Sequence, residues 1–211
     1  EILIGLVGSE MCIRDREFGS NNSKSPYGHI RECNMVIKGI TDSSLEKSEK
    51  EELLGQALFF RAWAYFRLVR VYGGVPLIDE PQNPIIGDDG GVSLAVPRST
   101  TKAAIDFICE DLRLASEYLP VRWSKPAEDF GRITSGAALA LQGRARLLYA
   151  SPLFNRADDA ERWNQAYISN KAAIDKLKEG DWGLENLGTP GVNGSGSVSY
   201  THLRAHETDQ Y

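Results

Sequence analysis

The residue spacing that most resembles a metal site lies near the end of the chain. His202 and His206 are four residues apart, and Glu207 follows directly. On a helix this spacing would place both imidazoles on one face, as a zinc site requires. The neighbouring residues show no apolar periodicity, however, and a flexible stretch rich in glycine and serine comes before them at 188–197. We therefore predict that the protein has no metal site here.

The candidate catalytic residues are few. Glu128 and Asp129 could form a glycosidase carboxylate pair, but adjacent carboxylates in a polar loop are usually only solvated. His29 has no partner in the sequence that would make it a general base. Cys33 and Cys109 fall within helical patterns, where a free cysteine behaves as a small apolar residue. We predict a protein that is not an enzyme and needs no cofactor.

Composition excludes several further classes. The 211 residues include 24 Lys and Arg against 29 Asp and Glu, a formal net charge of −5. Without a basic excess, a nucleic-acid partner is not expected. Three scattered cysteines do not make a disulfide framework, and no apolar run reaches the length of a membrane-spanning helix. The 42% hydrophobic content indicates a folded globular protein.

The elements that must position these residues are helices. Apolar residues recur every three or four positions in five segments, which predicts helices at about 27–40, 45–72, 102–119, 136–149 and 159–178. Ser43 or Ser44 could cap the second helix, and Gly73 with Gly74 ends it. No segment has a convincing strand pattern. The sequence therefore predicts an all-α, tetratricopeptide-like helical array, although no strict repeat is visible.

The same periodicity predicts which side chains face the core. We interpret the run Arg61–Trp63 as scaffold core, with Arg61 paired locally. Glu110 and Asp111 precede Arg113 on their helix and are interpreted as surface charges. In the fifth helix, the residues expected to point inward are Trp163, Ala166, Tyr167, Ile174 and Leu177.

Several motifs in a fixed order resemble one protein family. Residues 60–77 read FRAWAYFRLVRVYGGVPL, which resembles the signature of the SusD/RagB family of outer-membrane nutrient-binding lipoproteins of Bacteroidetes. Asn34 matches a recurrent asparagine of that family. Further matches are VPRS at 96–99, DLRLASEYLP at 111–120, GRIT at 131–134 followed by AALA at 137–140, and the helix 163–173. The resemblance covers about residues 27–184.

The resemblance implies a mainly helical scaffold on the cell surface, held at the outer membrane by a lipid anchor. Such a protein would bind a glycan or other nutrient and cap a SusC-like TonB-dependent transporter, without catalysis. Trp123 is a weak candidate for a glycan contact, and the alternative is that it packs on a helix end. A tetratricopeptide-like adaptor that binds a peptide or protein partner is the alternative function.

The two ends of the chain do not match the middle. Residues 6–16 (LVGSEMCIRDR) and 198–208 (VSYTHLRAHET) resemble translated sequencing-adapter sequence. We therefore expect 1–16 and 198–211 to be non-native, and Cys12 not to be a lipidated cysteine. On this interpretation 17–184 is the SusD-like helical domain, the N-terminal portion of a larger fold, and 185–197 is a flexible segment.

Overall fold

Five helices form the part of the chain that the structure describes. The computed structural model describes residues 25–82, 96–125, 128–129 and 131–182. The helices, numbered along the chain, are α1 (Pro26–Asp42), α2 (Lys47–Tyr72), α3 (Thr101–Tyr118), α4 (Ser135–Ala150) and α5 (Ala160–Glu179). No strand occurs among these residues. The all-α prediction is confirmed, with each helix boundary within about two residues of its predicted position.

Side-chain caps set where four of the helices begin. The hydroxyls of Ser25, Thr100 and Thr134 accept hydrogen bonds from main-chain N–H groups in the first turns of α1, α3 and α4. The carboxylate of Asp159 does the same for α5. Each cap satisfies a donor that the helix itself leaves unpaired.

The start of α2 differs from its prediction. Glu46 occupies the N-cap position and makes no side-chain capping bond. Ser43 instead closes α1, where its hydroxyl donates to the carbonyl of Ile40 at 2.6 Å. The prediction that Ser43 or Ser44 caps the second helix is therefore wrong, because the last turn of α1 uses Ser43 first.

The core forms where each helix packs on the next one along the chain. Alanines at the contacts allow the helix backbones to approach closely; Ala62, Ala138 and Ala145 are fully buried. The largest apolar side chains that are completely enclosed come from α1, α2 and α3, and they are Ile30, Tyr65, Phe66, Leu68, Val69, Ile105, Ile108 and Leu112. This tight packing makes the three helices a rigid base for the polar groups described below.

Two glycines end α2, as predicted, and allow the chain to return close to that end. Gly73 has a φ of 72°, a conformation that favours glycine. A Cβ on Gly74 would lie only 1.9 Å from the carbonyl oxygen of Ser99. Ser99 also donates from its hydroxyl to Val75 at 2.7 Å, and Arg98 donates from Nε to Gly74 at 2.6 Å. The segment before α3 is thereby fixed to the end of α2.

The outer helix α5 shows a different face from the one predicted. Trp163, Tyr167 and Ile174 are 39%, 66% and 53% exposed, so the prediction that they point inward is wrong. Small residues face α4 instead: Ala166, Ser169 and Ala173 are buried. The helices are so close that a Cβ on Gly143 would lie 2.6 Å from the side-chain oxygen of Asn170. A contact this close favours small residues over large aromatic ones.

Candidate functional site

A buried polar cluster joins the first three helices. The guanidinium of Arg61 donates to both carboxylate oxygens of Asp111, from Nε at 2.8 Å and from Nη2 at 2.7 Å. Its Nη1 donates to the side-chain oxygen of Asn34 at 2.9 Å. Only 7%, 4% and 1% of Arg61, Asp111 and Asn34 are exposed. We call these three residues the Arg61 cluster.

The cluster corrects two predictions. Asp111 is not a surface charge, and Arg61 pairs with a residue 50 positions away rather than locally. Glu110 does lie on the surface, where it accepts two hydrogen bonds from Arg113. The adjacent acids differ because Asp111 follows Ile108 by three residues and so shares its buried face of α3.

The sequence carries a signal for this cluster, namely polar residues at apolar positions of three helices. Arg61 comes three residues after Leu58 and four before Tyr65, on the apolar stripe of α2. Asn34 stands four residues after Ile30 on the stripe of α1. A polar residue at a core position of an amphipathic helix needs a buried partner. Three such residues on three helices together indicate a buried network.

The charges in the cluster hold each other in place. Burial raises the pKa of the Asp111 carboxyl, and the hydrogen bonds from Arg61 oppose that rise. Burial also disfavours the charged guanidinium, but the hydrogen bonds to Asp111 together with the attraction of Asp111 and other nearby groups leave the pKa of Arg61 raised. The ring of Phe107 lies 5.1 Å from the guanidinium carbon. Because each charged group is engaged, the arrangement is suited to positioning rather than to proton transfer.

The cluster also reaches the segment 75–82, which is neither helix nor strand and which we call the strap. Arg61 Nη1 donates to the carbonyl of Asp79 at 3.1 Å, and Asn34 Nδ2 donates to the carbonyl of Ile78 at 2.9 Å. The hydroxyl of Tyr65 bonds both main-chain groups of Ile78, accepting at 2.7 Å and donating at 3.0 Å. Side chains of α1 and α2 therefore satisfy the main chain of the strap.

Two further contacts hold the ends of the strap against α1. The hydroxyl of Tyr27 donates to the carbonyl of Pro76 at 3.0 Å. The guanidinium of Arg31 donates to the carbonyl of Gln82 at 3.1 Å. Burial raises the pKa of Tyr27 to about 12, so its hydroxyl keeps its proton and remains a donor at neutral pH.

Trp123, the predicted glycan contact, lies half-buried against the core in the loop between α3 and α4. Its indole N–H donates to the carbonyl of Ile133 at 2.9 Å. The guanidinium carbon of Arg132 stands 3.8 Å from the ring centroid, and Arg132 also pairs with Asp129 at 2.7 Å. One face of the indole is thus occupied. These contacts agree with the packing alternative, and the glycan role of Trp123 stays a prediction.

The other sequence-predicted groups are not brought together. Glu128 pairs with Lys125 at 3.2 Å, and Asp129 is engaged by Arg132. His29 lies on the surface, 3.3 Å from Glu32. Each carboxylate or imidazole therefore has a local partner on its own loop or helix, and none faces another across a common cleft.

Cys33 and Cys109 are free thiols, and burial raises the pKa of each to about 11. Cys33 lines a groove of about 520 Å³ between α1 and α2, and exposed aromatic side chains of α2 form its outer wall. Those aromatics are Phe60 and Trp63. Trp63 is 38% exposed, so the prediction that the run 61–63 is core is wrong at this residue. A thiol with so high a pKa is a poor nucleophile at neutral pH.

The described ranges contain neither a metal-binding cluster nor a membrane-spanning helix. No group of three or more His, Cys, Asp or Glu residues there could hold a metal ion. None of the five helices combines the length and the apolarity needed to cross a bilayer. His202, His206 and Glu207, where we predict no metal site, lie outside these ranges, and so does Cys12.

Known proteins have similar helices and related sequences. Residues 9–147 match the model of a protein family, SusD-like, described as "Starch-binding associating with outer membrane". The chain belongs to the SusD-like family. The match includes the Arg61 cluster, the strap and the loop of Trp123, and it confirms the family that the sequence motifs indicated.

Similarity to individual members is moderate and partial. SusD-like protein P2 of Formosa agariphila is 27% identical over 158 residues, which are 74% of this chain and 28% of that protein. A SusD-like protein of Bacteroides fragilis superposes with a TM-score of 0.60 at 32% identity, covering 78% of this chain and 28% of the other. A laminarin-binding SusD-like protein gives 0.55 at 23% identity, covering 72% and 28%. This chain therefore spans little more than a quarter of these relatives, as a partial domain would.

Proposed function

We propose that the complete protein binds a glycan or another nutrient at the cell surface and delivers it to a SusC-like TonB-dependent transporter, without catalysing a reaction. The observation that carries the proposal is the family match over residues 9–147. The laminarin-binding relative, which shares the fold, supports a polysaccharide-derived ligand. The family description supports an outer-membrane location. In the proposal, the complete protein supplies the lipid anchor.

In this proposal the described helices serve as scaffold. The rigid core and the Arg61 cluster fix the relative positions of α1, α2 and α3, and loops between helices carry the contacts with ligand and transporter. Trp123 is the one candidate contact we retain from the sequence. We also keep the proposal that 1–16 and 198–211 are non-native and that 17–184 belongs to a larger fold.

Calorimetry on the complete protein tests binding. The protein expressed from its full reading frame is titrated with a panel of oligosaccharides that includes laminarin fragments, and its copurification with an outer-membrane barrel is measured. We expect micromolar to millimolar binding of one glycan class, as is usual for exposed sugar sites. Absence of binding across the panel together with absence of a copurifying barrel would reject the proposal.

A pair of tryptophan variants separates a ligand contact from scaffold. Trp123→Ala should weaken glycan binding about tenfold or more if a sugar stacks on the indole. Trp163→Ala is the matched control, because Trp163 is an exposed indole on the outer helix α5. If Trp123→Ala stays folded and binds the glycan as the parent does, the role of Trp123 is wrong while the proposed function stands.

Catalysis is tested with the same glycans. We expect no hydrolysis, because Glu128 and Asp129 are each paired with a neighbouring cation rather than aimed at a shared cleft. Hydrolysis that disappears in Glu128→Gln would contradict the non-catalytic proposal.

The groove between α1 and α2 favours the second candidate, an adaptor that binds a peptide. It is apolar and open, with Val36, Phe60 and Trp63 along its walls. In an adaptor, an apolar helical peptide would bind there and glycans would not. Upstream sequence of the gene discriminates the two: a signal ending in a small residue and cysteine supports the surface lipoprotein, and its absence from a complete reading frame supports the adaptor.

A further inference from the structure

In the middle of the strap, the main chain takes its hydrogen bonds from side chains of α1 and α2. Carbonyls of two successive strap residues, Ile78 and Asp79, accept from Asn34 and from Arg61 at 2.9 and 3.1 Å. The strap is neither helix nor strand, so no helical or ladder hydrogen bonds satisfy its main chain. If it shifted along α1 and α2, the carbonyl of the half-buried Ile78 and that of the exposed Asp79 would lose the donors from Asn34 and Arg61.

The geometry of Arg61 links the ion pair to this strap. A guanidinium carries five N–H donors in a fixed plane. Two of them bind Asp111, and this two-point contact fixes the plane. The remaining Nη1 then points at both the Asn34 side chain and the Asp79 carbonyl. Asp111 therefore orients the donor that reaches the strap, although Asp111 itself does not touch it.

Stability alone does not account for a buried ion pair at this place. Taking two charges out of water costs much of what their attraction returns, and apolar residues of similar volume often leave a protein as stable or more so. Apolar residues, however, cannot donate to a carbonyl. We propose that the Arg61–Asp111 pair serves to fix the path of the strap across α1 and α2, and that its net contribution to global stability is small.

The ion pair lies close to the point where the described chain leaves α1 and α2. The strap ends at Gln82, and the described chain resumes at Val96. Shortly after Val96, Arg98 and Ser99 hold the chain at the end of α2. The Arg61 cluster would thus set where the chain departs from the helices. This role is independent of whether the complete protein binds a glycan.

Hydrogen exchange on a double variant tests the proposal. In the complete protein, Arg61→Met is combined with Asp111→Leu, which keeps the side-chain volumes similar and removes both charges. We expect a melting temperature within about 3 °C of the parent or above it. The amide of Ile78, the strap N–H that donates to the Tyr65 hydroxyl, should exchange at least about tenfold faster, while peptides from the centres of α2 and α3 keep their protection.

Two comparisons make the result decisive. Asp111→Leu alone should lower the melting temperature strongly, since it leaves the guanidinium buried without its partner. The control Glu110→Gln with Arg113→Met removes an exposed pair on the same helix and should change neither measurement. A double variant whose strap stays as protected as in the parent overturns the proposal. So does a double variant that fails to fold or melts as low as Asp111→Leu.

Discussion

Arg61 on α2 and Asp111 on α3 form a two-point ion pair with N–O distances of 2.8 and 2.7 Å, in a region from which water is almost excluded. The pair joins two helices directly and a third through Asn34. The arrangement explains why two charged residues lie on the apolar faces of their helices.

Removing one partner of this pair should be costly. Asp111→Ala is expected to lower the free energy of unfolding by about 3–5 kcal/mol, because it leaves the Arg61 guanidinium charged and buried without an acceptor. Denaturant unfolding followed by circular dichroism measures the loss. Arg113→Ala removes an exposed ion-pair partner on the same helix and should have little effect. A loss for Asp111→Ala no larger than for this control would contradict the prediction.

Two glycines should respond in opposite directions to the same substitution. Gly74→Ala places a Cβ 1.9 Å from the carbonyl oxygen of Ser99, so we expect a loss of at least about 2 kcal/mol. Gly39→Ala lies in an exposed part of α1 with open space around the new methyl group, and it should gain up to about 1 kcal/mol. Thermal unfolding of both variants tests this contrast. Equal changes in stability for the two variants would contradict it.

Cys33 should be a slow thiol despite lining an open groove. Burial raises its pKa from 9.0 to about 11, so the thiolate at pH 8 is scarcer by roughly a hundredfold than for an ordinary cysteine. In a Cys12→Ser, Cys109→Ser background, its reaction with Ellman's reagent should be slower by a similar factor than that of a free cysteine peptide. The rate should rise with pH up to about 11, because only the thiolate reacts. A rate at pH 8 equal to the peptide's would show the thiol is not desolvated.

The exposed apolar stripe of α5 should make the isolated helical segment associate. We expect residues 17–197 alone to be helical but poorly stable and partly self-associated, since Trp163, Tyr167 and Ile174 lie open to water. Tyr167→Ser with Ile174→Ser should reduce association in analytical ultracentrifugation without loss of helical circular dichroism. Ile168→Ser, an equally exposed residue off the stripe, is the control. A sharp, monomeric thermal transition of the parent segment would contradict the expectation.

Local signals in the sequence were sufficient to locate the helices. Periodic apolar residues located all five, and Gly73 with Gly74 marked the end of α2. Ordered motifs from residue 34 to 173 also identified the family. Side-chain direction is less predictable: the apolar periodicity places Trp163 and Tyr167 in the core, although α5 packs on α4 through alanine and serine.

The sequence by itself determined about where each helix lies and which family the chain belongs to, because apolar periodicity and motif order are properties of neighbouring residues. Only the tertiary structure decided that Asp111 is buried while Glu110 is exposed, and that Arg61 binds a partner 50 residues away. The physical reason is that a charge can be buried only where distant segments supply its hydrogen bonds. Arg61, Asp111, Asn34 and the strap meet only after α1, α2 and α3 have packed together.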